Sequence, residues 1–544
     1  MVTDVVTGLL VGVISLTLST ALGALLFGAE LGQFLDKAIG LAVLTSLTIA
    51  VLGLTLGSLP GTLMHMQDAP TAVLAGATAA IVAAHGVGVT TLATFMTVVA
   101  TAALAGLATG ALFLAFGLFR LGSLVRFLPY PVVGGFMAGT GWLLLTGGIG
   151  VMSGVSVSRS YLTDLFAPGL ATQWLPGLAF AVTILVATRL SSHFLVWPAL
   201  LVGSVVVFYA LMALTGGTVA SWHAAGYLLG PFPDSSLLGV VRPADLALVD
   251  WPLVMAQLPI IATVALLSLI AVLLNATALE LVTERRVDLN RELRAAGIGN
   301  LLAGALGGAV GYHSASLTSL NHRTGSGGRL PILIACLVLL GALLFGAGLF
   351  GAMPTAVVGG TIAFLGLAFL YQWLVESLAS LSALEYVIVA VILVVIAVAG
   401  FLPGVGLGLV LTVVLFVISY SRVDAVRHSL TGNDMHSRVS RTPQERASLT
   451  ATGDAVMVLQ LHGFLFFGTA NAVLERIDRR TSAGPVGGPG AGTAPARPLD
   501  CVILDFKRVT GVDASGLLVL RTLARSPRAN GYRLVLTDLG PGVA

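Results

Sequence analysis

Charged side chains are scarce in this sequence. Asp, Glu, Lys and Arg make up 9% of the 544 residues, and 57% are hydrophobic, with a mean hydropathy of +1.00. Soluble domains carry about 25% charged residues. The composition therefore excludes a soluble globular protein and predicts a polytopic α-helical protein that lies in a lipid bilayer.

Cysteine is nearly absent. Cys336 and Cys501 lie far apart in the chain, which excludes a disulfide framework and a cysteine-based metal site. His65, His313 and His322 lack metal-ligand spacing. We expect no metal site and no cofactor.

Basic residues and catalytic motifs are also few. The only two lysines stand in no phosphate-binding loop, and the sequence contains no nucleophile–base arrangement. The net charge of +3 comes from residues scattered over loops. We therefore expect neither an enzyme nor a nucleic-acid partner.

Long apolar runs fill residues 1–421. We predict fourteen membrane segments, at about 17 to 25 residues for a full crossing, with the third and tenth too short to cross. Their approximate bounds are 5–27, 38–56, 70–84, 93–118, 131–152, 174–189, 197–215, 258–283, 292–308, 314–322, 331–351, 355–375, 383–400 and 402–421.

Two polar interruptions stand out in this apolar region, at residues 61–70 and 311–321. Irregular backbone at membrane depth survives only where it lines a protein cavity. Paired interruptions in the two halves of a membrane protein indicate a transport site. Seven segments per half place both interruptions at the same ordinal position, and an odd repeat of seven must be inverted.

Arginine is unevenly distributed over the loops. An N-terminus on the cytoplasmic side places most loop arginines inside, as the positive-inside rule requires. The first residues contain no cleavable signal peptide, by the absence of a basic start and a small-residue cleavage site. We expect a bacterial inner (plasma) membrane protein with both termini in the cytoplasm.

The character of the chain changes after Tyr420. Residues 422–452 are polar and predict a linker. Strands and helices then alternate, which predicts an α/β domain over 453–544. The predicted elements are strands at 456–461, 500–506 and 533–537, helices at 470–480 and 516–523, and a flexible Gly/Pro-rich insertion at 481–498.

Four stretches carry a family resemblance. Residues 502–516, with Asp513, Ser515 and Gly516, resemble the strand–turn–helix signature of STAS domains, and residues 463–471 resemble their first strand-to-helix turn. Residues 288–304 and 314–331 resemble the eighth-to-ninth and tenth-helix regions of SulP transporters. The chain is thus similar to SulP secondary transporters with a cytoplasmic STAS domain.

The resemblance implies a core (about 1–118 and 258–351) and a gate (about 131–215 and 355–421), with the substrate between the facing N-termini of the third and tenth helices. It also implies a homodimer and a STAS domain whose last helices are missing here, so we expect a truncated domain. The candidate substrate-binding residues are Asp68, Ala69, Pro70, Thr71, His313, Ser314, Ala315 and Ser316.

Two departures from the family pattern change the charge of this site. Leu317 stands where SulP members have arginine, and Asp68 adds an acid before the third helix. One charge at about 4 Å is worth roughly 4 kcal/mol at an effective dielectric near 20. These changes can therefore reverse the preference for anions.

The candidate ion-coupling residues are Asp68, Asn275, Thr277 and Glu280. Each has an alternative role: Asp68 can cap the third helix, Asn275 and Thr277 can form interhelical hydrogen bonds, and Glu280 can lie at a solvated helix end. In the STAS-like domain, Asp513 and Ser515 occupy a turn that is a regulatory phosphorylation site in related proteins, or Ser515 merely caps a helix.

We predict a secondary active transporter that moves a small anion, such as sulfate, bicarbonate or a dicarboxylate, with H⁺ or Na⁺ as the coupling ion. Three alternatives stay open: a proton-coupled transporter of a cationic or zwitterionic solute such as a basic amino acid, an uncoupled anion channel, and a membrane-anchored regulatory or sensor protein in which the STAS domain is the working part.

Overall fold

The structure, a computed structural model, describes most of the chain. Its internal contacts divide the chain into two units, Met1–Thr412 and Val413–Ala544. The described residues are 2–86, 91–122, 130–155, 164–191, 193, 195–230, 232, 237, 242–324, 326–421, 425–435, 439–482 and 498–540.

A helix occupies each of the fourteen predicted segments. In chain order the helices are α1 Val2–Phe27, α2 Leu35–Leu56, α3 Asp68–His85, α4 Leu92–Leu118, α5 Tyr130–Ser153, α6 Pro168–Leu190, α7 Val196–Leu214, α8 Val219–Ala224, α9 Trp251–Ala256, α10 Leu258–Thr283, α11 Leu289–Ala305, α12 Ala315–Arg323, α13 Arg329–Phe345, α14 Ala347–Gly351, α15 Thr355–Leu370, α16 Ala383–Ala399 and α17 Phe401–Ser421.

Within the described ranges, eight helices are long and apolar enough to cross a membrane. Three shorter apolar helices of 10–17 residues accompany them. The small helices α8, α9 and α14 are extra elements between the predicted segments. The protein is a multi-pass membrane protein.

The helices pack in two groups. In the first, α1 packs against α2 and α13, and α4 packs against α11. In the second, α5 packs against α15 and α16, and α6 packs against α15. We call the first group, α1–α4 with α10–α13, the core, and the second, α5–α7 with α15–α17, the gate.

Glycine permits the closest approach within the core. A Cβ added to Gly8 on α1 would lie 2.6 Å from the Ile334 Cβ on α13, and one added to Gly12 would lie 2.9 Å from the Val338 Cβ. These distances are shorter than van der Waals contact, so only glycine fits. The small residues bring the two helix backbones together, as in other membrane helix pairs.

The first unit contains two short strands, β1 Met64–Met66 and β2 Gly311–His313. The second unit contains a four-stranded sheet together with helices. Its elements are β3 Val426–Thr431, α18 Pro443–Thr452, β4 Val456–Leu465, α19 Phe467–Ser482, β5 Cys501–Val512, α20 Ala514–Asn530 and β6 Arg533–Thr537. The strand order is β3-β4-β5-β6, with β4, β5 and β6 parallel and β3 antiparallel to β4.

The sheet corrects one expectation. The predicted linker, residues 422–452, contains β3 and α18, because β3 finds its backbone partners on β4 rather than in its own neighbourhood. The predicted insertion, 481–498, begins inside α19, and residues 483–497 lie outside the described part of the chain.

Candidate substrate site

Two short strands lie at the polar interruptions. Strand β1, Met64–Met66, leads into α3, and strand β2, Gly311–His313, leads into α12. They pair antiparallel, with His65 opposite Tyr312. Further backbone bonds extend the pairing, from Ser314 N to Leu63 O at 2.9 Å and from Gln67 N to Val310 O at 3.2 Å. The irregular backbone is thus hydrogen-bonded inside the protein, as membrane depth requires.

Buried side chains hold these strands in place. Asn300 on α11 binds the backbone of Gly311 twice, donating to its O at 2.7 Å and accepting from its N at 2.9 Å. Thr318 Oγ1 accepts from Leu63 N at 3.1 Å, and Ser46 Oγ accepts from Met66 N at 3.2 Å. The strand pair is therefore supported from α2, α11 and α12.

A cavity of about 660 Å³ opens beside the strand pair, between the core and the gate. Ligand sites for small molecules typically measure about 300–1,000 Å³. The core side includes the starts of α3 and α12 together with Asn275 on α10. The gate side is largely aromatic, and its aromatic and polar members are Tyr130, Trp197, Phe364, Phe369, Gln372 and Trp373.

Six of the predicted residues meet at this cavity. Asp68 and Ala69 line it from α3, Ser314, Ala315 and Ser316 from the start of α12, and Asn275 from α10. Asn275 also donates to His313 O at 3.0 Å, so it performs the predicted hydrogen bonding between elements as well. Residues predicted from both interruptions therefore line one cavity.

Pro70 and Thr71 do not belong to the cavity lining. Both are buried in α3 behind its first residues. The Thr71 hydroxyl donates to Gln67 O at 2.5 Å, inside its own helix turn. The positions of these two residues therefore do not support direct contact with a solute.

His313 faces away from the cavity. Side chains alternate between the two faces of a strand, so Tyr312 lies on the cavity side and His313 on the other. The His313 Nε2 lies 2.5 Å from Glu292 Oε2 on α11. The predicted contact between this imidazole and the substrate is thus not supported by its position.

Glu292 is a buried residue that sequence reasoning missed. Its Oε1 accepts from Ser58 N and Ser58 Oγ, each at 2.6 Å, and from Leu59 N at 3.2 Å. With His313 on the other oxygen, the carboxylate has four donors. It joins α11 to β2 and to the segment before β1, so we interpret it as a structural clamp.

Of the other two coupling candidates, Glu280 does not line the cavity. Glu280 Oε1 accepts from Val287 N at 2.9 Å, which ties the end of α10 to the turn before α11. This is the alternative role of a residue at a helix end. Thr277 belongs to α10, but its side chain lies outside the described part of the structure.

The position of Leu317 corrects one part of the prediction about the charge of the site. Its side chain is 1% exposed and packs with Val11, Ile332 and other apolar residues of α1 and α13. The missing arginine therefore stands at a position that faces the core interior and not the cavity. Asp68 is the departure that changes the site itself.

Sequence reasoning also missed four cavity-lining residues, His65, Gln67, Tyr312 and Gln372. The first three follow from strand alternation, because His65 and Tyr312 face each other in the pairing register. Gln372 lies in a π-helical turn, Tyr371–Val375, that follows α15. Such turns occur frequently at functional sites, but no sequence signal marks this one.

The turn that precedes α20 has a capped helix start. Asp513 Oδ1 accepts from Gly516 N at 2.6 Å. The capping role expected of Ser515 is thus performed by Asp513. The Ser515 side chain lies outside the described residues, and its regulatory role stays a prediction.

Comparison with known families decides the identity of the chain. The model of the sulfate permease family matches residues 1–392, and that of the STAS domain matches residues 447–544. This chain belongs to the sulfate permease family. The predicted resemblance and fold class are confirmed, and the protein is a transporter and not an enzyme.

The relatives of this sulfate permease family member are described as transporters of different solutes. The vacuolar basic amino acid transporter VSB1 of Saccharomyces cerevisiae is 26% identical over 79% of this chain, which spans 42% of the yeast protein. The bicarbonate transporter BicA of a Picosynechococcus species is 26% identical over 86% of this chain and 79% of its own.

Solved structures show the same fold. The inward-facing murine Slc26a9 anion transporter aligns with a TM-score of 0.70 at 17% identity, covering 100% of this chain and 86% of its own. The transmembrane domain of a cyanobacterial BicA aligns with a TM-score of 0.57 at 20% identity, covering 74% and 97%.

Proposed function

We propose that this protein is a secondary active transporter that carries a small, positively charged solute, with a basic amino acid as the best-fitting class. One observation carries the proposal. Asp68 is the only Asp, Glu, Lys or Arg among the described residues that line the cavity. A lone carboxylate at membrane depth favours a cationic partner and disfavours an anion.

The aromatic gate wall supports the same class of solute. The rings of Tyr130 and Trp373 lie 4.9 Å apart between centroids, tilted by 50°, and both residues line the cavity. Cations bind over aromatic faces with about 0.5–2 kcal/mol of stabilisation. A guanidinium or ammonium group held by Asp68 therefore faces a favourable opposite wall.

The same carboxylate supplies proton coupling. Asp68 binds either a proton or the cationic group of the solute, and not both at full strength. Mutually exclusive binding at one site gives exchange, in which protons move against the solute. The yeast relative is a vacuolar basic amino acid transporter, and this chain spans 42% of that protein. This similarity motivates the choice of solute class.

Transport of a small anion such as bicarbonate or sulfate is the second candidate. The family and the BicA relatives favour it, as does the N-terminus of α12, because helix N-termini attract anions. An uncoupled channel differs from both candidates in needing no ion gradient.

Uptake into proteoliposomes distinguishes the candidates. We would measure labelled L-arginine, bicarbonate and sulfate, each with and without an imposed pH gradient and with and without Na⁺. We expect a proton gradient to drive arginine uptake, with arginine and protons moving in opposite directions across the membrane. Anion uptake without arginine uptake would refute the proposal, and current without any gradient dependence would indicate a channel.

Cellular context completes the proposal. The protein resides in a bacterial plasma membrane as a homodimer, with its termini and its STAS domain in the cytoplasm. The arginine distribution over the loops supports this orientation. Addition of a protease to intact and to opened cells tests it, since a cytoplasmic STAS domain is cleaved only after opening.

A further inference from the structure

Gln67 places an amide group at the cavity in one orientation. The residue lines the cavity directly before α3 and is 8% exposed. Its Nε2 donates to Tyr312 O at 3.0 Å and to His313 O at 3.4 Å. Backbone carbonyl oxygens only accept hydrogen bonds. The NH₂ group of Gln67 must therefore face β2, and its Oε1 atom faces away from these carbonyls.

Asn275 repeats this arrangement from α10. It also lines the cavity, and its Nδ2 donates to His313 O at 3.0 Å. The same argument directs its Oδ1 atom away from β2. Among the described residues, neither Gln67 Oε1 nor Asn275 Oδ1 has a hydrogen-bond partner. Buried polar groups are normally paired, so two unpaired acceptors at one cavity indicate a ligand that donates hydrogen bonds.

The strand that orients both amides is itself held firmly. On the other face of β2, His313 Nε2 lies 2.5 Å from Glu292 Oε2, and Glu292 accepts in turn from Ser58 N and Ser58 Oγ. Asn300 binds the backbone of Gly311 at the start of the same strand. The two amide oxygens are therefore oriented before a ligand arrives, which lowers the entropic cost of binding.

Asp68 alone cannot satisfy the hydrogen bonds of a cationic group. An ammonium group has three N–H donors, a guanidinium group has five, and neither has an acceptor. Asp68 Oδ1 already accepts from Ala69 N at 2.7 Å. The remaining donors of a cation held by this carboxylate need further oxygens, and the two amides supply neutral ones.

We propose that Gln67 and Asn275 determine specificity by accepting hydrogen bonds from the N–H groups of the cation that Asp68 attracts. The site therefore selects protonated amines and guanidinium groups over quaternary ammonium groups, which have the same charge without N–H donors. Aromatic walls bind quaternary ammonium groups well, so the gate wall by itself does not predict this preference. The inference rests on the proposed function and adds two specificity-determining residues to it.

Lysine and its methylated forms separate hydrogen bonding from charge. L-Lysine, Nε-methyl-L-lysine and Nε-trimethyl-L-lysine all have a positively charged side chain, but the methyl groups remove N–H donors until the trimethylated form has none. We would measure the binding of each to the purified full-length protein by calorimetry. Loss of the hydrogen bonds predicts about 10- to 100-fold weaker binding of trimethyl-lysine, with methyl-lysine between the two.

Two substitutions remove one amide each. Asn275→Leu and Gln67→Met introduce apolar side chains of similar size. Each should weaken lysine binding about tenfold and leave trimethyl-lysine binding as it is, so that the preference for lysine falls. Asn300→Ala is the matched control, because Asn300 also bonds β2 but does not line the cavity. It should lower the melting temperature and keep the preference.

The outcomes separate this inference from the proposed function. Equal binding of lysine and trimethyl-lysine by the wild-type protein would overturn the inference while the proposed function stands. Wild-type lysine affinity in both amide variants would overturn it as well, and this comparison decides if trimethyl-lysine binds too weakly to measure. Binding of none of the three amino acids, with binding of sulfate or bicarbonate, would overturn the proposed function itself.

Discussion

The helices α3 and α12 begin with the same local backbone arrangement but differ in charge. Each follows a short strand after a single capping residue, Gln67 or Ser314. The fourth helical residue is threonine in both, Thr71 and Thr318, and its N–H bonds the capping residue's carbonyl in both. The two halves therefore present matching backbones, as an inverted repeat requires.

Side chains at the first and third helical positions make the difference. Position one is Asp68 in α3 and Ala315 in α12, and position three is Pro70 in α3 and Leu317 in α12. The two helix starts therefore differ in charge at position one and in backbone donors at position three. Under the proposed function, the charged residue at position one of α3 sets the preference of the site for a cationic solute.

Neutralising Asp68 should have the largest effect on this comparison. The Asp68→Asn substitution preserves the size of the side chain at the start of α3 and removes its negative charge. One charge at about 4 Å is worth roughly 4 kcal/mol, so we expect arginine affinity and uptake to fall about 1,000-fold. Proton dependence should disappear with them, as measured in proteoliposomes.

Glu280→Gln is the matched control for Asp68→Asn. It also neutralises a helix carboxylate, but its amide oxygen can still accept from Val287 N, and the residue does not line the cavity. Its uptake should resemble that of the wild type. Unchanged proton-coupled uptake by Asp68→Asn would end the argument that position one sets the charge.

An arginine at position three should disturb stability and not selectivity. Leu317→Arg places a guanidinium among Val11, Ile332 and other buried apolar residues. An unpaired buried charge costs about 3 kcal/mol or more. We expect a clearly lower melting temperature in detergent and no new sulfate uptake.

Ser316→Arg is the paired variant, because Ser316 is the preceding residue and lines the cavity. It should keep a melting temperature near that of the wild type and reduce arginine uptake by charge repulsion. If Leu317→Arg instead gained anion transport at wild-type stability, the assignment of position three to the core interior would be wrong.

The clamp at Glu292 should affect both halves together. Glu292→Gln weakens the bonds to His313 on one side and to Ser58 on the other. Bonds to charged groups are worth about 1.5–3 kcal/mol, so we expect a loss of about 2 kcal/mol of stability. Thermal unfolding, with the exposed Glu284→Gln as control, measures it.

The smallest effect should come from Gln67. Its Nε2 donates to Tyr312 O at 3.0 Å, which ties the α3 cap to β2. Gln67→Ala removes this bond and should cost about 1 kcal/mol. Ser314→Ala removes the side-chain cap of α12, in which Ser314 Oγ accepts from Leu317 N. Equal losses in the two variants would indicate that both half-helices are anchored to the same degree, and unequal losses would rank them.

The sequence by itself determined the class of protein, the positions of the helices and the two interruptions. Hydropathy is a local property, because each membrane helix satisfies its own backbone. For this reason the predicted segments correspond to α1–α7, α10–α13 and α15–α17. Asp68 was also recognisable, since an acid beside an apolar helix is unusual in itself.

Only the tertiary structure decided which neighbouring side chains face the cavity. The pairing of β1 with β2 joins residues more than two hundred positions apart, and that pairing directs Tyr312 to the cavity and His313 to Glu292. Helix packing directs Ser316 to the cavity and Leu317 to α1 and α13. The gate wall depends in the same way on contacts between distant helices. Side-chain direction depends on such long-range contacts, and no local pattern in the sequence contains them.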